Sequence, residues 1–358
     1  MKTGLAAIVA ASFLFGACSG KDTKNKNVPI VPIVQPVAYQ TRLKCSNIIK
    51  KEIQGTAFYA CSEDYSPEVQ EVFELIGDVK SYGKETLGFD DSINYRDYRD
   101  GNPAQVNTLF MLGVAPKFQV SVDCRVLFLV DNSYRTLIEE PTIFRSLSDN
   151  LLDEKEFYEN SGFDTGRRAC MDFSPGGSIN PDFMGYPPEE KIFAVLHEDW
   201  HYYSLLNSEQ LFGPESSVDE PVATVMGFAS AMDYLQAHYG ADSELYKAEA
   251  ALFEKWRVYS NLVNNSYIEL SELYSRDISD AEKERLKQEI LAKSKEAGFK
   301  MNNAVIMLQS PYTELFLIAY DVYTAHPNIK ELAEIMSMVP ATKEEARVYL
   351  QLQAYSDY

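Results

Sequence analysis

Histidine is scarce in this chain, with four among 358 residues, at positions 197, 201, 238 and 326. Basic side chains are in the minority too, 33 Lys and Arg against 53 Asp and Glu, for a formal net charge of −20. Nucleic acids and anionic lipid surfaces are gripped through Lys and Arg, so this balance argues against both as partners and reads as a solvated acidic surface. Long apolar runs are missing as well. The clearest apolar stretch, Leu5 to Phe15, is too short to cross a bilayer as a helix, and no internal repeat is evident. Of the five cysteines none lies next to the paired histidines and none has metal-ligand spacing, which speaks against a catalytic thiol and a cysteine metal site.

The ends carry a targeting pattern. Lys2, the apolar stretch and Gly16-Ala17-Cys18 have the order of a secretory leader. Leu14-Phe15-Gly16-Ala17-Cys18 resembles the bacterial lipobox, with Phe15 bulkier than usual, and the resemblance implies a lipidated N-terminal Cys18; a plain secretory signal is the alternative. The chain then divides into a leader (1–17), the lipidated cysteine with a polar, then Pro-spaced tether (18–41), and a single body (42–358). Several acyl chains on one cysteine anchor stably, and Ser19 points to the outer membrane, so the expected location is the bacterial envelope, facing the periplasm. Cys45, Cys61, Cys124 and Cys170 allow two disulfides in three connectivities. Proximity favours Cys45–Cys61 and Cys124–Cys170.

Within the body, Ser66-Pro67-Glu68 opens a helix that buries Val69, Val72, Phe73 and Ile76 and ends by Gly88. Val106 to Val114 and Phe118 to Val130 read as two or three strands, and Pro- and Gly-rich residues 172–188 as an irregular loop. Pro188, Glu189 and Glu190 then start a helix, and after residue 220 helices are expected at about 220–238, 244–275, 279–297, 302–322, 328–337 and 342–355. The fold class is α+β, with a small β part before the Pro188 helix and a mostly helical part after it.

Two histidines stand in that helix, in His197-Glu198-Asp199-Trp200-His201. A helix advances about 100° per residue, so positions 197 and 201 share a face and their imidazoles can meet on one metal ion. Glu198 lies about 100° round and can reach a water on that ion. The alternative is an amphipathic helix whose histidines pair with nearby carboxylates. Eighteen residues after His201 comes Glu220, in Asp219-Glu220-Pro221-Val222-Ala223-Thr224. Three protein ligands leave a fourth tetrahedral position open, the arrangement of a catalytic zinc. Pro221 places Glu220 at a helix start, where a Ser217-x-x-Glu220 capping box is the competing role. Thr224, one turn on, is the candidate for orienting a ligand, with Asp199 a weaker one.

This pattern is similar to that of gluzincin metallopeptidases, in which H-E-x-x-H is followed after about eighteen residues by a Glu with Ala three places later, as Ala223 is here. The chain further resembles the bacterial predicted-aminopeptidase lipoproteins. The likeness runs through Leu87-Gly88-Phe89, Ser92, Tyr95-Arg96-Asp97-Tyr98, Leu112 to Phe118, both histidine and Glu220 segments, and Asn302-Asn303-Ala304 with Tyr312, covering most of 65–340 in order. It departs at Asp199 and Trp200, where the family has small or aliphatic residues, at Asp219-Glu220-Pro221, where an Asn-Glu-Ser type segment is usual, and in having only Cys124 of a cysteine pair. The resemblance implies one Zn2+ held by His197, His201 and Glu220, Glu198 as general base, and peptide substrates cut as by an aminopeptidase. Asn302, Asn303 and Tyr312 become cleft-lining candidates, with amides tying helices together as the other role. Tyr312 and His326 are candidates for steadying the oxyanion. The other functional class is a tethered binding or scaffold protein that retains zinc without turnover, suggested by Asp199, Trp200 and Pro221.

Overall fold

A computed structural model describes residues 43, 45–89, 92–99, 109–120, 126–129, 156–170, 177–207 and 216–355. The leader, Cys18, the tether and Cys124 lie outside them, and so does the expected Cys124–Cys170 bridge. The architecture is α+β: two small sheets precede a long succession of helices. Among the described residues no helix is long and apolar enough to cross a membrane.

Strands β1 (Ile48–Ile53) and β2 (Thr56–Cys61) form an antiparallel hairpin. Their two-residue turn, Gln54-Gly55, has positive φ at both positions (48° and 76°), the handedness that matches strand twist. The expected Cys45–Cys61 disulfide closes its base, with Cα atoms 5.9 Å apart. Two extended stretches continue this sheet in parallel: Tyr59 N donates to Arg96 O (2.8 Å) and Ile179 N to Asp97 O (2.9 Å). In the second sheet β3 (Leu109–Pro116) lies between β4 (Val126–Leu129) and β5 (Phe163–Cys170), both antiparallel to it. The hairpin and β5 are additions to the sequence expectation. The hairpin's signal was present in an isoleucine-bearing run and a run with Thr56, Phe58 and Tyr59 around a two-residue turn, whereas Phe163-Asp-Thr-Gly-Arg-Arg is too polar to announce a strand and is recruited by β3.

Helix α1 (Pro67–Leu87) begins as expected, with Ser66 Oγ accepting from Val69 N, and buries Val69, Val72, Phe73 and Ile76. A short α2 (Pro181–Met184) lies inside the expected loop and leads into α3 (Pro188–Asn207), the histidine helix. After it come α4 (Ser216–Tyr239), α5 (Glu244–Tyr274), α6 (Asp280–Glu296), α7 (Asn303–Thr313), α8 (Phe316–Ala325), α9 (Ile329–Ser337) and α10 (Lys343–Tyr355). The expected 302–322 helix is thus two helices. Pro311 removes a backbone donor in the last turn of α7, and the chain breaks at Glu314-Leu315.

Helix α4 is the centre of the helical part. It buries Val218, Val222, Ala223, Val225, Met226, Ala229, Ala231 and Leu235, residues spread around its circumference. A helix apolar on all sides must be enclosed, and α1, α3, α5, α7, α8, α9 and α10 all contact it. Burial also overrides the expectation for Pro221: α4 starts at Ser216, a turn earlier than expected, and Pro221 is accommodated inside it. A smaller core of Val263, Leu270, Leu273, Leu291 and Ile306 joins α5, α6 and α7.

Helix α3 docks on α1 through a buried ion pair. Lys80 Nζ lies 2.8 and 2.9 Å from the two Asp199 oxygens and 2.8 Å from Ser92 Oγ, which itself donates to Asp199. Burial pulls the Lys80 ammonium below its ordinary range, against the upward pull of Asp199. Removing one partner of a buried pair strands the other, at a cost of about 3–5 kcal/mol. We therefore expect Asp199→Asn to lose roughly that much in chemical denaturation, whereas Lys80→Met combined with Asp199→Leu should recover most of it.

Candidate metal centre

The residues of α3 sort by azimuth. Ile192, Val195, Leu196, Asp199 and Trp200 cover the side packed towards α1 and the segment that follows it. Asp199 sits about 200° from His197 and points away from the ligands; Trp200 lies only about 60° to the other flank, but its indole offers an N–H donor and no ligand atom. Trp200 is buried edge-on against Phe89, ring centroids 5.8 Å apart. On the opposite side Glu190, Phe193, His197 and His201 form one stripe facing α4. Asn94 holds the helix at its midpoint, its Nδ2 donating to the Glu198 carbonyl at 2.8 Å.

Helix α4 supplies the third ligand because it can come close. At Gly227 an added Cβ would stand 3.0 Å from His197 Cβ and from the Phe193 ring. A glycine costs about 1 kcal/mol against alanine inside a helix, and here the hydrogen is what permits the contact. Ala223, the small residue noted from the sequence, is also fully buried, one turn earlier.

Three donors then converge. Nε2 of His197 and Nε2 of His201 are 3.0 Å apart, and Glu220 Oε2 lies 3.8 and 3.6 Å from them. Zinc–ligand bonds of about 2.0–2.1 Å at tetrahedral angles separate donor atoms by roughly 3.3 Å, so the triangle fits such an ion. Among the described residues this is the one cluster of three buried His and Glu side chains able to hold a metal; a second group, Cys45, Cys61 and Glu63, is a disulfide with a nearby acid rather than a thiolate site. Glu220 is therefore directed at the imidazoles and not at a helix cap. Glu198 Oε1 lies 4.0 Å from His197 Nε2, beside the triangle and outside it.

Asp219 is the orienting residue that sequence reasoning missed. Its Oδ2 is 2.7 Å from His201 Nδ1, and its Oδ1 accepts from Ser204 Oγ at 2.9 Å. This bond fixes the tautomer that turns the Nε2 lone pair of His201 into the site. Thr224 instead donates to the backbone carbonyl of Glu220 at 2.7 Å. The signal was available: a carboxylate one residue before a ligand carboxylate at a helix start. Burial alone would lower the His201 imidazolium, but the Asp219 and Glu220 carboxylates outweigh it and hold the group well above the usual histidine range. The centre thus favours positive charge.

The remaining candidates are structural ties. Asn302 caps α7, accepting from Val305 N at 2.9 Å, and donates to Thr165 O at 2.8 Å. Asn303 is fully buried, donates to the carbonyls of Pro116 and Lys117 at 2.9 Å each, and accepts from Tyr274. These bonds hold α7 to the β3–β5 sheet, in keeping with the tying role that stood beside the cleft-lining one for both. Tyr312 is buried in the main core. His326 meets Glu331 and the Gln353 carbonyl, between α8 and its neighbours, which corrects its expected oxyanion role.

Comparison of the chain with protein-family models, with curated proteins and with solved structures finds no match in any of the three. The site stands on its own geometry.

Replacing Asp219 by Asn should weaken zinc binding about 10–100-fold in competition titrations with a chromogenic chelator. Zinc must displace the His201 proton, so apparent affinity should keep rising with pH above 6.5, the ordinary histidine value. Gly227→Ala should destabilise by about 1–3 kcal/mol despite its helix propensity, and should lower zinc affinity because it forces α4 away from His197.

Proposed function

We propose that this protein is a zinc-dependent peptidase of gluzincin type, related to the bacterial predicted-aminopeptidase lipoproteins and lipid-anchored through Cys18 in the bacterial envelope. The observation that carries the reading is the convergence of His197, His201 and Glu220 on one buried point, with Glu198 alongside. Zinc held there lowers the pKa of a coordinated water and polarises a carbonyl group. Glu198 takes the proton of the attacking water as general base and passes it to the departing amine. Asp219 keeps His201 in its ligating tautomer, and Asn94 fixes the backbone from which Glu198 projects. Peptides are the substrate class that this division of labour serves, and the aminopeptidase assignment rests on the resemblance.

The scaffold reading drew on Asp199, Trp200 and Pro221. The first two serve the docking of α3 on its neighbours, and Pro221 is absorbed in α4, so each of the three has a role in the fold that does not require a loss of turnover.

Glu198→Gln separates binding from turnover. Both proteins should carry about one zinc per chain by elemental analysis, while the variant should cleave a mixed peptide library about 10²–10⁴-fold more slowly. Equal rates would end the peptidase reading, and absence of zinc from both would end the ligand assignment.

A further inference from the structure

The stripe of α3 that carries the two histidines also carries Glu190, two turns earlier. Between them stands Phe193, which packs on Phe228 of α4 (centroids 4.2 Å apart), which stacks on Phe253 of α5 (4.7 Å). One turn before Phe253 is Glu249. Glu190 thus stands one turn before Phe193 and Glu249 one turn before Phe253, on two helices that pack against each other. Glu249 is 0% exposed, and neither of its carboxyl oxygens has a hydrogen-bond partner among the described residues. One oxygen of Glu190, itself 6% exposed, is in the same position. A buried carboxylate without donors is strongly disfavoured, so such a group keeps its proton or its surroundings give way.

We propose that Glu190 and Glu249 form a proton-operated latch that docks the first two turns of α3 on α5 while the pair is protonated and releases them when both acids ionise. The charged neighbours that act on the pair are Glu189, beside Glu190 in the first turn of α3, and Lys255 on α5. Helix α8 presents Tyr320 and Tyr323 to Phe253; both phenols are raised by burial and stay neutral. Burial first, then Glu189, pushes the Glu190 carboxyl up to about 7, with Lys255 opposing. Burial, Glu189 and Glu190 hold Glu249 well above the carboxylate range. Both folded values exceed the unfolded ones, so the stabilisation is complete below the ordinary glutamic acid value of about 4.3 and is lost as pH rises through 7 and beyond. The latch concerns the entry of α3 and stands whether or not the metal centre hydrolyses peptides.

The test uses the zinc-loaded full chain as wild type, Glu249→Gln and Glu190→Gln, with thermal unfolding followed by circular dichroism at about pH 5.5 and about pH 8.5. Wild type should melt slightly below both variants at the lower pH, where the loss has only begun, and several degrees below them at the higher. Parallel loss in all three overturns the proposal. So does rescue of wild type alone by calcium chloride at the higher pH, since the pair would then hold a cation and not a proton. If a variant fails to fold, amide exchange in wild type decides. Protection of residues 192–196, corrected for the intrinsic rate and referred to the middle of α5, should fall at the higher pH; unchanged protection overturns the latch.

Discussion

Helix α4 carries a hydrogen at Gly227 where any other residue would place a carbon, and His197 of α3 occupies the space so left. Two ligands come from α3 and one from α4, and the geometry of the centre is set by how close those helices lie. Ligands on one helix are spaced by the helix itself; a ligand on a second helix is spaced by packing. The apolar girdle of α4 provides the force that holds the two together, and Gly227 sets the distance at which it stops. A looser contact would leave two histidines on a helix without a third ligand, and the donor triangle of 3.0, 3.6 and 3.8 Å would open on its Glu220 side.

Enclosing α3 so completely has an electrostatic consequence. The helix carries Glu190, Glu198 and Asp199, all buried, and each is handled differently. Asp199 meets Lys80 and Ser92 in a set of short polar contacts. Glu198 borders the cation site, where positive charge is favoured by Glu220 and Asp219. Glu190 is raised by its burial first and by Glu189 second, and there the cheaper solution is a proton. The same helix therefore borders an ion pair, a cation site and a pair of buried acids, and the difference lies in what the neighbouring element presents: α1 a lysine, α4 the carboxylates of Asp219 and Glu220, α5 a glutamic acid.

Much of the helical part was legible from the sequence because caps and periodic apolar positions are local. Ser66 with Pro67, Pro188 with two glutamates, and Ser243 and Ser279 at later starts all appear as helix beginnings in the structure. The two histidines of the candidate metal group were legible for the same reason: a spacing of four is a statement about one helix face. What escaped was set by partners distant in sequence. Strand β5 exists because β3 lies beside it, α4 starts early because its first turn is buried, and Asp219 gains its role when α4 brings it to His201. Asn302 and Asn303 show how such a choice between two roles is decided by distant partners. Polar residues in a recurring motif invite a functional reading, yet what they satisfy is a set of backbone carbonyls at the junction of a helix and a sheet.

Asp199 and Trp200 carry the same lesson into the motif itself. Both stand between the two histidines in sequence, and from sequence alone that closeness reads as influence on the metal. A helix separates neighbours by 100°, so the third position of H-E-x-x-H looks away from the ion and the fourth stands on the flank of the histidine face, and both report here on what the helix is docked against. Small or aliphatic residues there suit a plain apolar neighbour. An acid and an indole there require a buried cation and an aromatic surface, and the fold supplies Lys80 with Ser92 for one and Phe89 with Tyr203 for the other. Substitutions at these positions belong with changes in α1 and in the Phe89 to Asn94 segment rather than with changes in the chemistry, and the Lys80–Asp199 double substitution is where that linkage is open to measurement.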